Sequence, residues 1–105
     1  MDSRETAHEI VRQMGGYGRL SAMVNARQWL VLQSGIQFTF SGKRGVNRCL
    51  VMLDATDTYT MQFWYCKAPR NASAFISEMK VEYTGVYNDM LIGLFEGYTG
   101  LYLSL

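Results

Sequence analysis

The sequence predicts an α+β domain: an N-terminal helix, an antiparallel four- to five-stranded meander, and a C-terminal helix packed on the sheet. Three observations carry this. Apolar and polar residues alternate at a period of two through the middle of the chain, apolar residues recur at helical spacing near both ends, and Gly-, Asn- and Asp-rich turns separate the runs. The 105 residues suit one domain, 1–105, large enough to bury a core without disulfides or metal.

Taking the elements in order, Asp2 stands three residues ahead of Glu5, the form of a capping box. Ala7, Ile10, Val11 and Met14 then recur at helical spacing, and Gly15-Gly16-Tyr17-Gly18 supplies a stop. A helix is expected over residues 3–14. At about 12 residues it is marginal alone, so its apolar stripe must dock on something. Between Leu20 and Leu32 the pattern is mixed. Leu20, Ala22, Val24 and Ala26 alternate, whereas Trp29 to Leu32 is a continuous apolar run. Two short strands, or one strand bent about Asn25, fit best, because Asn tolerates the left-handed conformation of a bend. A helix through Ala22–Leu32 stays open.

The meander follows. Ile36, Phe38 and Phe40, then Cys49, Val51 and Leu53, then Tyr59, Met61, Phe63 and Tyr65 mark the inward parity of three strands. The preferred register pairs Val51 with Met61 and Leu53 with Tyr59, and it needs a bulged loop through Asp54–Thr58. Across the preceding turn it aligns Phe38 with Val51 and Ile36 with Leu53. It also turns Leu50, Met52 and Trp64 to the face away from the core, to be covered by a second layer or left as a sticky patch. Pro69 ends the third run, and Ala74 to Thr84 reads as a further strand with Phe75, Ser77, Met79, Val81 and Tyr83 on one parity.

From Val86 the period changes. Val86, Tyr87, Met90, Leu91, Leu94, Phe95 and Tyr98 share one broad helical face, with Thr84 placed to cap the start and Gly100 the end. Gly93 and Gly97 each cost about 1 kcal/mol against Ala in a helix interior, so a close backbone approach to a strand or a neighbouring chain is the expected compensation. The apolar end Leu101-Tyr102-Leu103-Ser104-Leu105 is expected to dock.

Candidate chemistry is sparse. The single histidine, His8, sits beside Glu5 and Glu9 on a helix surface, where a general base would lack a pocket. Cys49 and Cys66 fall on opposite faces of neighbouring strands, with no second histidine and no zinc spacing; a disulfide, a thiol nucleophile and a metal site are all disfavoured. Asp54 and Asp57 flank a turn, where Asp is favoured for backbone hydrogen bonds, and a hydrolytic carboxylate pair is the weakest reading. A net charge of +1, a polar and acidic N-terminus and no stretch near the ~20 apolar residues of a membrane span point to a cytoplasmic protein with no membrane partner. Lys43, Arg44 and Arg48 cluster around one hairpin turn, with Lys67 and Arg70 further on. Near an exposed Trp64 they could hold single-stranded nucleic acid by charge and stacking.

Asp57-Thr58-Tyr59-Thr60-Met61-Gln62-Phe63, Gly85-Val86-Tyr87-Asn88-Asp89-Met90-Leu91, Phe95-Glu96 and Thr99-Gly100-Leu101-Tyr102-Leu103-Ser104-Leu105, with Met14-Gly15-Gly16 and Ala22-Met23, resemble small uncharacterised proteins of bacteriophages, prophages and conjugative elements. The resemblance covers most of the chain. It implies a mobile-element origin and assigns no chemistry; small phage proteins often act by binding, host-defence inhibitors included. The expectation is a non-enzymatic binding protein, without cofactor or metal, that engages a host or phage protein or a second copy of itself. An anti-CRISPR-like inhibitor of host defence is its most concrete form. The expected contact residues are Leu50, Met52 and Trp64, rimmed by Lys43, Arg44 and Arg48; single-stranded nucleic-acid binding through that basic turn is the alternative.

Overall fold

A computed structural model describes residues 2–42, 45–67 and 76–103, with Ile76 described by its backbone only. The element order is α1 (Ser3–Gln13), α2 (Tyr17–Val24), β1 (Arg27–Val31), β2 (Gly35–Thr39), β3 (Arg48–Leu53), β4 (Tyr59–Lys67), β5 (Ile76–Val86), a single 3-10 turn (Asn88–Met90) and α3 (Leu91–Thr99). The strands form one five-stranded sheet in the order β1-β2-β3-β4-β5, every neighbouring pair antiparallel. This is the predicted α+β meander.

Asp2 caps α1 as the sequence proposes: the Glu5 N–H donates to Asp2 Oδ1 at 2.8 Å. The apolar stripe Ala7, Ile10, Val11 and Met14 is buried. Gly15 and Gly16 hold φ of 112° and 96°, which ends α1 where a side chain would resist. The next turn differs from expectation. Residues 17–24 coil into α2 instead of forming a strand, because Leu20 and Val24, four apart, bury together on one helical face. Asn25 does take the left-handed conformation (φ 57°, ψ 43°), as the C-cap of α2, and the only strand of this stretch is β1.

Both pairings proposed for β3 with β4 are present, Val51↔Met61 and Leu53↔Tyr59, closed by the Asp54–Thr58 loop with Asp57 left-handed at φ 62°. The β2–β3 register is shifted by two residues from the expected one: Ile36 pairs with Val51 and Phe38 with Cys49. Contacts between the two arms of the connection hold the observed register. The Phe40 N–H donates to Asn47 O at 2.9 Å, and Gly42 lies so close to the returning chain that a Cβ there would fall 1.5 Å from Val46 O. A shift of two preserves parity, so the buried face is unchanged.

The predicted strand over Ala74–Thr84 is β5, which runs on to Val86; Ala74 and Phe75 lie outside the described residues. Its ladder with β4 breaks between Phe63↔Val81 and Trp64↔Met79. That bulge divides a parity set expected to share one face: Val81 and Tyr83 pack against the core, while Met79 stands opposite Trp64 on the other side. At the C-terminal helix, Val86 belongs to β5, Thr84 caps nothing and α3 starts at Leu91. Gly100 closes α3 at φ 74° as expected. Among the described residues no strand approaches Gly93 or Gly97, since a Cβ at either would meet no described atom of this chain within 4 Å. Of the apolar end, Leu103 is docked, with its N–H donating to Glu96 Oε2 at 2.8 Å, whereas Tyr102 is exposed and residues 104–105 lie outside the described ones.

The three described α-helices pack on one face of the sheet. Ile36, Phe38, Cys49, Val51, Tyr59, Met61, Phe63 and Val86 form that face and meet Ile10, Met14, Leu20, Leu91 and Phe95. A chain of rings runs through it: Tyr17 on Trp29, Trp29 on Phe38, Phe95 against Phe38, Phe40 and Phe63, and Tyr98 stacked on Phe63 with centroids 4.9 Å apart. Such contacts contribute about 0.5–1.5 kcal/mol each beyond the area they bury.

Candidate protein-docking face

With the helices gathered on one side, the opposite face of the sheet has no described element over it. The registers lay out its side chains. One row across the strands is Thr39, Arg48, Trp64 and Met79; the next is Leu30, Gln37, Leu50, Gln62 and Glu82; the third is Gly35, Met52 and Thr60. Leu50, Met52 and Trp64 are all on this face, partly exposed, and are neither in the core nor against it. Trp64 is the diagonal neighbour of Leu50, about 7–8 Å away between Cα atoms. The surface predicted from parity is therefore assembled, as a patch without a second layer among the described residues.

The neighbourhood of Trp64 is held by polar ties. Its indole N–H donates to Gln62 Oε1 at 2.9 Å, and Gln62 Nε2 donates to Glu82 Oε2 at 2.6 Å. Below it, Asn47 stands in for a strand residue. Its backbone N–H donates to Trp64 O at 3.0 Å, its Nδ2 donates to Cys66 O at 2.7 Å, and its Oδ1 accepts from the Cys66 N–H at 2.9 Å. The side chain prolongs the β3–β4 ladder past Arg48 and fixes the backbone from which Trp64 projects. At the other end Thr60 Oγ1 donates to Asp54 Oδ2 at 2.8 Å, which secures the row of Met52.

Several residues of this face escape sequence reasoning. Met79 reaches it through the bulge, and Leu30 lies in the stretch whose pattern was mixed; they are 44% and 51% exposed, more than Leu50, Met52 or Trp64. Glu82 and Gln62 carry no motif, and only cross-strand register brings them beside Trp64. Of the basic cluster, Arg48 lies directly across from Trp64; Lys43, Arg44 and Arg70 lie outside the described residues.

The remaining candidates make the following contacts. His8 is exposed with Nδ1 2.8 Å from the Tyr17 hydroxyl, a link between α1 and α2. The Asp54 N–H donates to Thr58 O and the Asp57 N–H to Asp54 O, the hydrogen bonding of a turn. Cys49 and Cys66 are free thiols on opposite faces. Burial pushes the Cys49 thiol up, which withholds the thiolate a nucleophile requires. Among the described residues no group of three His, Cys, Asp or Glu side chains is placed to hold a metal, and no helix is long and apolar enough to cross a membrane. No protein-family model, curated protein or solved structure matches the chain.

Proposed function

We propose that this is a non-enzymatic accessory protein of a phage or mobile element that acts by binding a host or phage protein through the open face of its sheet. An anti-CRISPR-like inhibitor of host defence is its most concrete form. One observation carries the reading: Leu30, Leu50, Met52, Trp64 and Met79 gather on a sheet face that no described element covers. Contiguous aromatic, Met and Leu side chains on an uncovered face are the composition of an interface core, and the flanking Arg48, Gln62 and Glu82 give it a polar rim. A Trp packed at the centre of such a patch is the typical energetic anchor. Glu82 within the patch opposes a polyanion and favours a protein over single-stranded nucleic acid.

The test is capture from infected-cell lysate, with and without nuclease, by the wild-type chain and by Trp64→Ala. A nuclease-resistant partner that is lost with Trp64→Ala is expected. Capture that Trp64→Ala leaves intact removes the surface assignment, and capture abolished by nuclease transfers the function to nucleic acid.

A further inference from the structure

We infer that the open face also receives a second copy of this chain, forming a face-to-face, two-fold symmetric dimer centred on Trp64. This rests on the reading of that face as a protein-docking surface and names a particular occupant for it. The argument comes from how charge is distributed around the indole. Arg48 is the direct cross-strand neighbour of Trp64 on β3, and Glu82 is the direct cross-strand neighbour of Gln62 on β5. Trp64 and Gln62 are joined by their side-chain hydrogen bond. The cation and the carboxylate thus lie on opposite sides of the Trp64–Gln62 pair, two strands and one step of two residues apart. That is about 12 Å at ordinary strand spacing.

A two-fold axis in the plane of the face, passing between Trp64 and Gln62, exchanges these two positions. Arg48 of one copy then faces Glu82 of the other, and the same contact recurs on the far side of the axis, as an isologous interface requires. The operation sets the two Trp64 side chains beside the axis and lays Met79 of each copy over Trp64 of its partner. A thioether on an indole is a favourable contact of about 0.3–1.5 kcal/mol. The apolar centre is therefore paired with itself, and Arg48 and Glu82 each meet the opposite charge. A net charge of +1 adds little long-range repulsion between copies.

Charge reversal tests this with the full chain, by sedimentation velocity from micromolar to submillimolar concentration, with circular dichroism confirming that each variant is folded. Wild type is expected to dimerise. Arg48→Glu and Glu82→Arg should each weaken the dimer at least about tenfold, equivalent to about 1.4 kcal/mol, and the double variant should regain it because the pairs are restored with their signs exchanged. Trp64→Ala should be monomeric. A wild-type chain that is monomeric throughout, a dimer that neither single reversal weakens, or a folded double variant that stays monomeric overturns the proposal. A monomer that still captures a lysate protein in a Trp64-dependent way sinks the dimer alone and leaves the proposed function standing.

Discussion

Phe63 and Trp64 are consecutive residues of β4 with opposite assignments, and truncating each in turn tests the one-sided sheet directly. Phe63 is fully buried, stacked on Tyr98 and in edge or tilted contact with Tyr83 and Phe95. Replacing it with Ala removes the ring and leaves a cavity closed by α3, for which about 3–5 kcal/mol is the usual cost. Trp64 is partly exposed and nothing described closes over it, so Trp64→Ala leaves an indentation that water can fill. Its cost should be about 1–2 kcal/mol, from lost contact area and the bond to Gln62. The difference, about 2–3 kcal/mol, corresponds to about 10 °C or more in Tm for a chain of this size. Urea and thermal unfolding at a protein concentration low enough for sedimentation to show only monomer measure the monomer alone. Equal losses, or a larger one for Trp64, would mean that the face assignment of β4 is wrong.

Gly93→Ala should stabilise the fold by about 1 kcal/mol, since Gly93 is helical, exposed and without neighbours around a new Cβ; a thermal melt that fails to rise contradicts it. Asn47→Ala should cost about 1–3 kcal/mol in urea and speed amide exchange at Cys66, because both bonds of its side chain go to that residue's backbone. Leu103→Ala should cost about 2–5 kcal/mol if this residue is docked in the core as described, and a loss under about 0.5 kcal/mol would show it free. Burial raises both the Cys49 thiol and the Tyr59 hydroxyl above their ordinary values. The folded state therefore keeps protons that the unfolded chain releases. Stability should hold at neutral pH and fall as pH rises past about 8.5, and again past about 10, the unfolded thiol and phenol ranges. Cys49→Ala should remove the first part of that decline in pH-dependent urea midpoints; a wild-type midpoint flat to pH ~11 would contradict the linkage.

The sheet's inward parity was readable because a strand has a period of two and one face must be apolar. Phe38, Val51, Met61 and Phe63 satisfy that rule without reference to any other part of the chain. The same rule placed Leu50, Met52 and Trp64 together on the outer face. It could not fix the β2–β3 register, since a slip of two residues leaves every side chain on its own face. The choice fell to Gly42 and its contact with Val46 O. Nor could it foresee Met79, because a bulge changes parity within a strand while the residue pattern looks unbroken. Residues 17–24 misled for a related reason: Leu20, Ala22 and Val24 satisfy a period of two, yet Leu20 and Val24 also satisfy a helical step of four.

Local chemistry alone thus determined the class of fold, the capped first helix, the left-handed bend at Asn25, the Asp54–Thr58 loop and which face of each central strand is buried. Tertiary structure decided that the described helices stack on one side, which is what leaves Trp64 on a face that none of them covers, and that Arg48 and Glu82 flank it with opposite charge. Periodicity belongs to a single segment and is written in its residues. The side of the sheet a helix occupies, and the neighbour a strand residue acquires, depend on loop geometry and cross-strand register, which join residues far apart in the chain.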